Sequence, residues 1–493
     1  MRNSSVIPKI PQDLREFIAL MEREGELCRV QREVDANLEV GAITRRVIDL
    51  KERAPLFEKV RGYAQGFRLF GCVLGPTRPV LQGRVSLALG LPKKTPTLEL
   101  VEEFVRRTAS PIPPVMVSSS PCKKNILRGD DVDLLRFPSP RVHGIDGGPY
   151  IGSWNICVTQ DPETAWVNWG LYRVMVHDRR HLGILLHPHR QHGGHMFYNR
   201  YEKRGEPMPI AIAIGTDPIS TMASCASFPF NVSEVEMAGA MRGTPVPLVE
   251  CETIPLKVPA SSEIVIEGEV LPGERREEGP FGEYTGYSVH AEKAPVIRVT
   301  CITYRDDPIL TMSNMGKPWD EASVTSSVVT SGVVYHALRE AGIPFQAAYT
   351  YAPQMSIIVS APSVPGLPLR IASALWSGRV RTDLPYLVIV NEDVDVTNIE
   401  DVWWAITTRM HPAHGIQVVE GKVVNPLIPW VTPEEREKRV THGIIFDACF
   451  PPHWSAEYLR KHCQVVDFKQ GWPPEVQEQV LKNWEQYGYG EAT

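Results

Sequence analysis

Two glutamates bracket a stretch of chain that cannot continue as a regular strand or helix. The segment Glu277–Tyr287 reads EEGPFGEYTGY, and its Glu278 and Glu283 flank Gly-Pro-Phe-Gly. On a regular strand, side chains five residues apart point to opposite faces. A turn or bulge at Gly279–Pro280 would instead bring both carboxylates to one side of the chain. The segment is therefore either a turn with acidic flanks or a pair of groups for acid–base catalysis.

The second interpretation has a definite electrostatic requirement. Two carboxylates about 5 Å apart in one cleft would repel each other by about 3 kcal/mol at an effective dielectric constant of 20. That energy corresponds to about two pKa units, enough to keep one of the two protonated near neutral pH. An arginine between them would cancel much of the repulsion, and a Glu-Arg-Glu network would then be a device for delivering protons.

An arginine also stands in the aromatic segment WVNWGLYR, which ends at Arg173 and contains Asn168. The segment is mostly apolar and has strand character, and an unpaired charge buried there would be costly. Arg173 therefore either forms a salt bridge with a glutamate at a sheet edge, or binds an anionic carboxylate or phosphate through two parallel hydrogen bonds. Both interpretations stay open.

Six of the fourteen histidines lie between His177 and His195. Histidines in loops beside Pro and Gly are commonly solvated, but one imidazole among Asn and Glu oxygens would suit Mn²⁺ or Mg²⁺ better than Zn²⁺.

Glu234 is a second candidate for a metal-binding side chain. It follows Ser233, which with Glu236 has the spacing of a capping box at the start of a helix. Glu234 either interacts with the helix dipole or faces a metal and a phosphate at that helix end.

Composition narrows the class of protein. A chain of 493 residues predicts two or three domains, and a net charge of −6 argues against a general nucleic-acid binder. There is no run of 18 apolar residues to span a membrane, and the N-terminal segment lacks the apolar core of a signal peptide. Nine cysteines stand singly without a C-x-x-C pair, so we expect a reduced, cytoplasmic protein.

Local patterns predict three kinds of region along the chain. The first region begins with an amphipathic helix over 12–27, and a linker follows over 110–125. The second region carries strand patterns, with one clear helix over 233–243. In the last region, a long helix over 323–343 precedes a buried parallel strand over 385–396 and a helix over 398–410. The strand patterns over the central region lie at 151–160, 165–177, 209–215, 262–270 and 295–305.

An ordered set of motifs resembles the UbiD family of reversible (de)carboxylases over nearly the whole chain. The motifs are NWGLYR, RQHGG, SEVEMAGAMRGTP, EGPFGEYTGY, VNEDVDV and WAITTRMHP, and MGKPWDE is similar to phenolic-acid members of the aromatic and ferulic-acid decarboxylase branch. The resemblance implies a mixed α/β and β multidomain fold built around a central split β-barrel. The expected parts are an N-terminal α/β region (1–115), the split-barrel domain that binds prenylated FMN (116–318), a connecting helix (319–345) and a C-terminal α/β oligomerisation domain (346–493).

The resemblance also implies site residues for prenylated FMN and two metals. Arg173, Glu278 and Glu283 would form the catalytic network. The implied ligands of Mn²⁺ (or Mg²⁺) are Asn168, His192 and Glu234. The residues implied around K⁺, mostly through backbone carbonyls, are Trp166, Ala223, Ser224 and Ala226. The implied cofactor-binding residues are Asn168, Tyr172, Arg173, Gln191, His192, Glu234 and Arg379.

Three positions depart from the pattern of the family. The loop before Gln191 has an extra residue, so His189 or His195 could replace His192 as the ligand. Arg379 stands where ferulic-acid decarboxylases have a lysine, which keeps the charge but changes the geometry. His187 falls near an apolar, substrate-lining position and indicates a polar or heteroaromatic substrate.

The implied enzyme is a carboxy-lyase that reversibly decarboxylates an aromatic, heteroaromatic or α,β-unsaturated carboxylic acid. The expected partners are this acid and CO₂, a flavin prenyltransferase that supplies the cofactor, and further copies of the chain in a homodimer or homohexamer. Neither nucleic acid nor a membrane is expected as a partner. The alternatives are a decarboxylase of an aryl-coenzyme A thioester and a non-catalytic flavin-binding or metal-binding protein.

Overall fold

The computed structural model describes residues 9–188, 191–378, 380 and 383–490. Two of the predicted site residues, His189 and Arg379, lie outside the described residues. Within these ranges, the helices are too short or too polar to cross a membrane. All nine cysteines lie in the described part of the chain and are free thiols, as their single spacing predicts.

The N-terminal part is a small α/β unit. Its strands are β1 (Leu27–Val30), β2 (Ala54–Phe57) and β3 (Arg68–Gly71), and its helices are α1 (Leu14–Arg23), α2 (Glu39–Leu50), α3 (Gly83–Ala88) and α4 (Thr97–Thr108). Helix α1 confirms the predicted amphipathic helix. The Asp13 side chain accepts a hydrogen bond from the Glu16 backbone N–H at 2.8 Å and caps its first turn.

The central part contains a nine-stranded antiparallel sheet that positions most of the predicted site residues. Its elements are β4 (Val115–Met116), β5 (Asn125–Arg128), β6 (Tyr150–Gly152), β7 (Asn155–Gln160), β8 (Val167–Gly170), β9 (Val174–Val176), β10 (His181–Ile184), β11 (Met208–Ile214), β12 (Pro247–Glu250), β13 (Lys257–Pro259), β14 (Ile264–Glu278), β15 (Phe281–Gly282), β16 (Ser288–Val289), β17 (Glu292–Tyr304), β18 (Ile309–Met312), α5 (His192–Met196), α6 (Pro218–Cys225) and α7 (Glu234–Arg242). The strand order in the large sheet is β6-β9-β10-β17-β14-β11-β7-β8, with β5 paired to β17.

This sheet is an open, curled half-barrel that is buried on both faces. Along β11, Ile210, Ile212 and Ile214 belong to one apolar core, whereas Ala211 and Ala213 belong to another. Side chains of a strand alternate between the two faces of the sheet, so a nearly continuous apolar run is what a sheet covered on both sides requires. The second of these cores extends to the long helix that follows the sheet.

Three local predictions for the central part were wrong in detail. The pattern over 165–177 splits into β8 and β9, so Arg173 lies in the connection between two strands. The helix over 233–243 is not the sole helical insert, because α6 starts at Pro218 after the N-cap Asp217. The predicted linker contains a short strand, since β4 pairs in parallel with β12. In the last case, pairing with a distant strand outweighs the local preference of Pro and Ser for turns.

The C-terminal part follows the predicted order of a long helix, a buried parallel strand and a second helix. Its elements are α8 (Glu321–Glu340), β19 (Ala347–Tyr351), β20 (Ser356–Ser360), α9 (Leu367–Ser377), β21 (Tyr386–Val390), α10 (Ile399–Arg409), β22 (Ile416–Val423), α11 (Pro433–Lys438), β23 (Val440–Ala448), α12 (Ala456–His462) and α13 (Pro474–Lys482). The sheet order is β19-β20-β21-β23-β22, and β21 pairs in parallel with both neighbours.

Candidate active site

The acidic segment forms a tight turn that places both carboxylates on the same side of the chain. Strand β14 ends at Glu278, Gly279 adopts φ +91°, and β15 follows immediately after Pro280. A positive φ of this size favours glycine, which explains the residue at the start of the turn. The predicted turn is confirmed, and both glutamates reach a single guanidinium group.

That guanidinium belongs to Arg173, which lies between the two carboxylates. Its Nε donates to Glu278 Oε1 at 2.9 Å and its Nη2 to Glu278 Oε2 at 2.5 Å, while Nη1 donates to Glu283 Oε1 at 2.7 Å. All three residues are buried: Arg173 is 5% exposed, Glu278 0% and Glu283 6%. The salt-bridge interpretation of Arg173 is therefore confirmed, with two buried partners instead of one at a sheet edge.

Electrostatics favour the charged form of Arg173 in this network. Burial acts to lower the pKa of Arg173, but the carboxylates of Glu278 and Glu283 outweigh burial and raise that pKa above its usual value. The Tyr150 hydroxyl donates a further bond to Glu278 Oε1 at 2.8 Å. Burial and the adjacent Glu278 raise the pKa of Tyr150, so this tyrosine remains a donor. Glu278 thus receives three donor groups, whereas Arg173 is the donor that holds Glu283.

A cleft that opens to solvent reaches this network. The cleft has a cavity volume of about 190 Å³. Arg173 and Glu283 line it, and Glu278 lies behind them. The cleft also collects most of the described residues that the sequence assigns to cofactor or metal binding: Asn168, Tyr172, Gln191, His192, Ser224, Ala226 and Glu234. Trp166 and Ala223 are not among its lining residues.

The side chain of Asn168 is held in one orientation. Its Nδ2 donates to Thr159 Oγ1 at 3.2 Å and to the Tyr172 hydroxyl at 3.1 Å. The Tyr172 hydroxyl also accepts a bond from the Gly193 backbone N–H at 3.1 Å, and burial raises the pKa of Tyr172 to about 12. With the nitrogen of the amide committed to these partners, Oδ1 is the atom of Asn168 that remains to face a cation.

Glu234 and His192 each begin a helix at the edge of the cleft. Glu234 is the first residue of α7, and its Oε2 accepts the Trp169 backbone N–H at 3.0 Å. His192 is the first residue of α5, with its ring 4.9 Å from the ring of Trp166. Among the described residues, no group of three or more His, Cys, Asp or Glu side chains could hold a metal. A metal here would need an amide oxygen, which Asn168 has.

Neighbouring residues support some of the predicted assignments and correct one. His195 does not line the cleft, and its Nδ1 lies 3.1 Å from Asn199 Nδ2, which favours His192 as a ligand. The predicted capping box is wrong, because Ser233 occupies the N-cap position of α7 without any hydrogen bond from its side chain. The carboxylates in the first turn of α7, at Glu234 and Glu236, supply the favourable interaction with the helix dipole.

The residues predicted to surround K⁺ lie around the end of α6. Ala223 and Ser224 are in its last turn and Ala226 is its C-cap, where backbone carbonyls lack helical partners. One of these carbonyls is occupied, since Ala223 O accepts the Ala226 N–H at 3.1 Å. The carbonyl end of a helix favours a cation. The K⁺ site remains a prediction.

Residues that support the network or line the cleft were in part not identified from the sequence. Tyr150 supports Glu278 from a strand 128 positions earlier in the chain, and nothing in its local pattern marks it. Tyr284, next to Glu283, lines the cleft together with Asp383 from the C-terminal part. In the sequence, Tyr284 could have been identified as a cleft residue by its position next to Glu283. No feature of the sequence indicates Asp383.

Comparison with protein families matches the chain in three segments. The models are the 3-octaprenyl-4-hydroxybenzoate carboxy-lyase N-terminal domain over residues 18–106, the Rift-related domain over 115–318 and the C-terminal domain over 315–448. The chain is 33% identical to the pyrrole-2-carboxylic acid decarboxylase of Pseudomonas aeruginosa, over 97% of this chain and 99% of that protein. It is 31% identical to ferulic acid decarboxylase 1 of Saccharomyces cerevisiae, over 97% and 98%.

Solved structures agree with these relatives. The closed form of vanillic acid decarboxylase from Sedimentibacter hydroxybenzoicus has a TM-score of 0.86 at 31% identity, covering 98% of this chain and 100% of that one. An evolved dimeric form of the UbiD-class enzyme HmfF from Pelotomaculum thermopropionicum, in complex with prenylated FMN, has a TM-score of 0.76 at 29% identity, covering 90% and 96%. The chain belongs to the UbiD family and is a carboxy-lyase. The alternative of a non-catalytic protein is therefore wrong.

Proposed function

We propose that this enzyme reversibly decarboxylates an aromatic, heteroaromatic or α,β-unsaturated carboxylic acid with the help of prenylated FMN. The observation that carries the proposal is the buried arginine between two glutamates, because the arginine and one of those glutamates line the cleft that also holds the proposed cofactor-binding residues. Relatives named as decarboxylases of pyrrole-2-carboxylic and ferulic acid support the substrate class. The central half-barrel sheet would be the flavin-binding split barrel.

The residues of the cleft fit the proposed cofactor. Asn168, His192 and Glu234 supply an amide oxygen, an imidazole and a carboxylate, a set that suits Mn²⁺ or Mg²⁺ bound to a phosphate. Ser224 and the backbone carbonyls at the end of α6 would bind K⁺. When bound, prenylated FMN supplies the electron sink that decarboxylation requires. Tyr172 and Gln191 line the same cleft and belong to the proposed cofactor-binding set.

Roles for the network follow from its geometry. Arg173 orients the substrate carboxylate while remaining fixed by the two bonds to Glu278. Glu283, which reaches the cleft, then delivers a proton to the carbon that carried the carboxylate. Tyr150 and Glu278 keep the guanidinium in place.

The proposal includes two further partners. A flavin prenyltransferase would supply the cofactor, and copies of this chain would associate through the C-terminal part as a homodimer or homohexamer. The predicted domain boundaries at 115, 318 and 345 stay predictions within this proposal.

The test is to produce the protein together with a flavin prenyltransferase and to record native mass and absorbance spectra. We expect a bound mass equal to prenylated FMN with one divalent metal, and CO₂ release from a panel of aromatic and unsaturated acids. Protein that binds the flavin but releases no CO₂ from any acid would contradict the proposed reaction. Protein that binds neither flavin nor metal would contradict the cofactor site.

A further inference from the structure

A loop that precedes β6 packs against the turn with Glu278 and Glu283. The Gly147 backbone N–H donates to the Pro280 carbonyl oxygen at 2.8 Å. In the opposite direction, the Gly282 backbone N–H donates to Asp146 Oδ1 at 3.1 Å. The loop over residues 143–148 therefore binds the turn through one backbone group on each side of its central phenylalanine.

The two segments approach each other more closely than side chains would allow. A Cβ atom at Gly147 would overlap the carbonyl oxygen of Gly279 in the turn. A Cβ atom at Gly282 would lie 2.6 Å from His143 Nδ1 in the loop. Glycine is the residue that permits such a close approach of one backbone to another group. Because the two segments are in direct contact, a displacement of the loop would also displace the turn.

Asp146 is the side chain at the centre of this contact. It is 1% exposed, and each of its carboxylate oxygens accepts a backbone N–H. Its Oδ2 accepts the His143 N–H of the loop at 2.7 Å, and its Oδ1 accepts the Gly282 N–H of the turn. Gly282 directly precedes Glu283. The bond from Gly282 therefore fixes the backbone from which the Glu283 side chain extends.

The loop is itself anchored to other parts of the protein. The Arg141 guanidinium donates through Nε to the Asp146 carbonyl oxygen at 2.9 Å. His143 Nε2 lies 3.1 Å from Asn314 Oδ1, and Asn314 Nδ2 donates to the Gly41 carbonyl oxygen in α2 at 2.6 Å. Since the amide nitrogen of Asn314 has this partner, its oxygen is the acceptor and His143 Nε2 is the donor. The loop is thus tied to the N-terminal part.

We propose that Asp146, in a loop anchored by His143, is a positioning residue that places Glu283 for proton delivery. Asp146 does not line the cleft, so it acts through the backbone of Gly282 and not on the substrate. The inference rests on the proposed function, in which Glu283 delivers the proton. A purely structural role of Asp146 would change stability and leave turnover by the folded, flavin-loaded enzyme unchanged.

Asp146→Asn in flavin-loaded enzyme is the first test, with the acid that the unmodified enzyme converts fastest. An amide nitrogen cannot accept a hydrogen bond, so one of the two backbone N–H groups loses its partner. We expect kcat per bound flavin to fall by about 10-fold to 100-fold, since a misplacement of about 1 Å can cause such a loss. We expect KM to change by less than about 2-fold. The solvent deuterium isotope effect on kcat should be at least as large as in the unmodified enzyme, because proton delivery is the step that is slowed.

Glu267→Gln is the matched control. Glu267 is also a carboxylate of the central part that is 1% exposed, and it accepts the backbone N–H groups of Glu252 and Thr253 at 2.8 Å and 2.7 Å. It lies in β14, outside the cleft. The same change from carboxylate to amide should lower the free energy of unfolding here and leave kcat per bound flavin unchanged.

His143→Phe is a second variant that changes the anchor of the loop and keeps Asp146. Phenylalanine retains a ring at this position but cannot donate to Asn314. We expect kcat per bound flavin to fall by about 3-fold to 10-fold, the effect of one lost hydrogen bond, with the same isotope signature. If Asp146→Asn does not fold, the same two measurements on His143→Phe decide the inference.

The outcomes separate this inference from the proposed function. Unchanged kcat per bound flavin would overturn the inference, as would a loss confined to KM or a lower kcat with a smaller isotope effect, since another step would then be affected. If no acid releases CO₂, the proposed function fails, and amide hydrogen exchange decides the inference. The peptide over residues 279–287 should then exchange faster in the variant than in the unmodified protein. Equal exchange would overturn the positioning role.

Discussion

Two pairs of buried carboxyl groups lie in this protein in very different surroundings. Glu278 and Glu283 share the guanidinium of Arg173. Asp320 and Glu321, at the start of α8, receive their hydrogen bonds from hydroxyls and backbone N–H groups. The Glu321 Oε2 atom accepts from Ser313 Oγ at 3.2 Å and from the Asn314 backbone N–H at 3.3 Å. Burial, with the adjacent Asp320, raises the pKa of Glu321 to about 7.

The difference shows that the partner, and not burial alone, determines what a buried carboxyl group does. Neutral donors do not compensate for the loss of water around Glu321, so its neutral form is favoured. In the first pair, the guanidinium of Arg173 binds Glu278 through two parallel bonds and so fixes its geometry. The first pair therefore fixes a guanidinium that can bind a substrate carboxylate, and the second pair affects stability. The following predictions test this distinction.

Glu283→Gln should have the largest effect. The amide keeps the shape of the side chain and can still accept a bond from Arg173, but it has no proton to deliver. We expect kcat to fall by about 10²-fold to 10⁴-fold. Steady-state kinetics measure the loss, and the flavin absorbance of the variant is the control, which should match that of the unmodified enzyme. Loss of flavin from the variant would instead assign Glu283 to cofactor binding.

Arg173→Lys should have the next largest effect. Lysine keeps the positive charge but cannot bind Glu278 through two parallel bonds and Glu283 through a third group. We expect kcat/KM to fall by about 10²-fold to 10³-fold, a magnitude typical for the loss of one positioned donor at a reacting group. A variant with nearly full activity would show that charge alone is sufficient and that the fixed geometry of the network is not required.

Glu321→Gln should change stability in a direction that depends on pH. The folded pKa of about 7 is above the usual value of 4.5, so the protonated form stabilises the fold at low pH, and this contribution is lost as pH rises through 7. Glutamine does not ionise, so the variant does not lose this stability as pH rises. Relative to the unmodified protein, the variant should therefore gain about 3 kcal/mol between pH 4 and pH 8, from about 1.4 kcal/mol per pKa unit.

Urea unfolding at several pH values between 4 and 8 measures this gain as a shift of the midpoint. Glu437→Gln, an exposed glutamate, is the control and should show no such trend. A constant difference between Glu321→Gln and the unmodified protein at every pH would mean that Glu321 has a cation partner like that of the first pair.

Ser233→Ala should have the smallest effect. A side chain that caps a helix typically contributes about 1 kcal/mol, but the Ser233 hydroxyl makes no cap bond to α7. We expect the free energy of unfolding to change by less than about 0.5 kcal/mol. Asp320→Ala is the contrasting variant, because Asp320 accepts the Ser323 backbone N–H at 2.8 Å in a complete capping box. Equal losses in the two variants would contradict the assigned difference between the helix starts.

Much of the fold follows from local sequence patterns. The amphipathic spacing of α1, the apolar run of β21 and the signals around α8 and α10 predict those elements because side-chain periodicity is a local property. The turn at Gly279 was also predictable, since glycine and proline restrict the backbone directly. The capping box at Ser233 was not borne out, because the spacing of residues does not state where a hydroxyl will point.

The sequence by itself determined which residue types were present to do chemistry: two glutamates around a turn, an arginine in an aromatic segment and a histidine before two glycines. Only the tertiary structure decided their partners. Arg173 and Glu283 are 110 positions apart in the chain, and Asp146 and Gly282 are 136 apart. Contacts at such separations arise when strands and domains pack, and the burial that makes them strong is produced by the same packing. Residue type is therefore readable along the chain, whereas partner, burial and protonation are properties of the folded molecule.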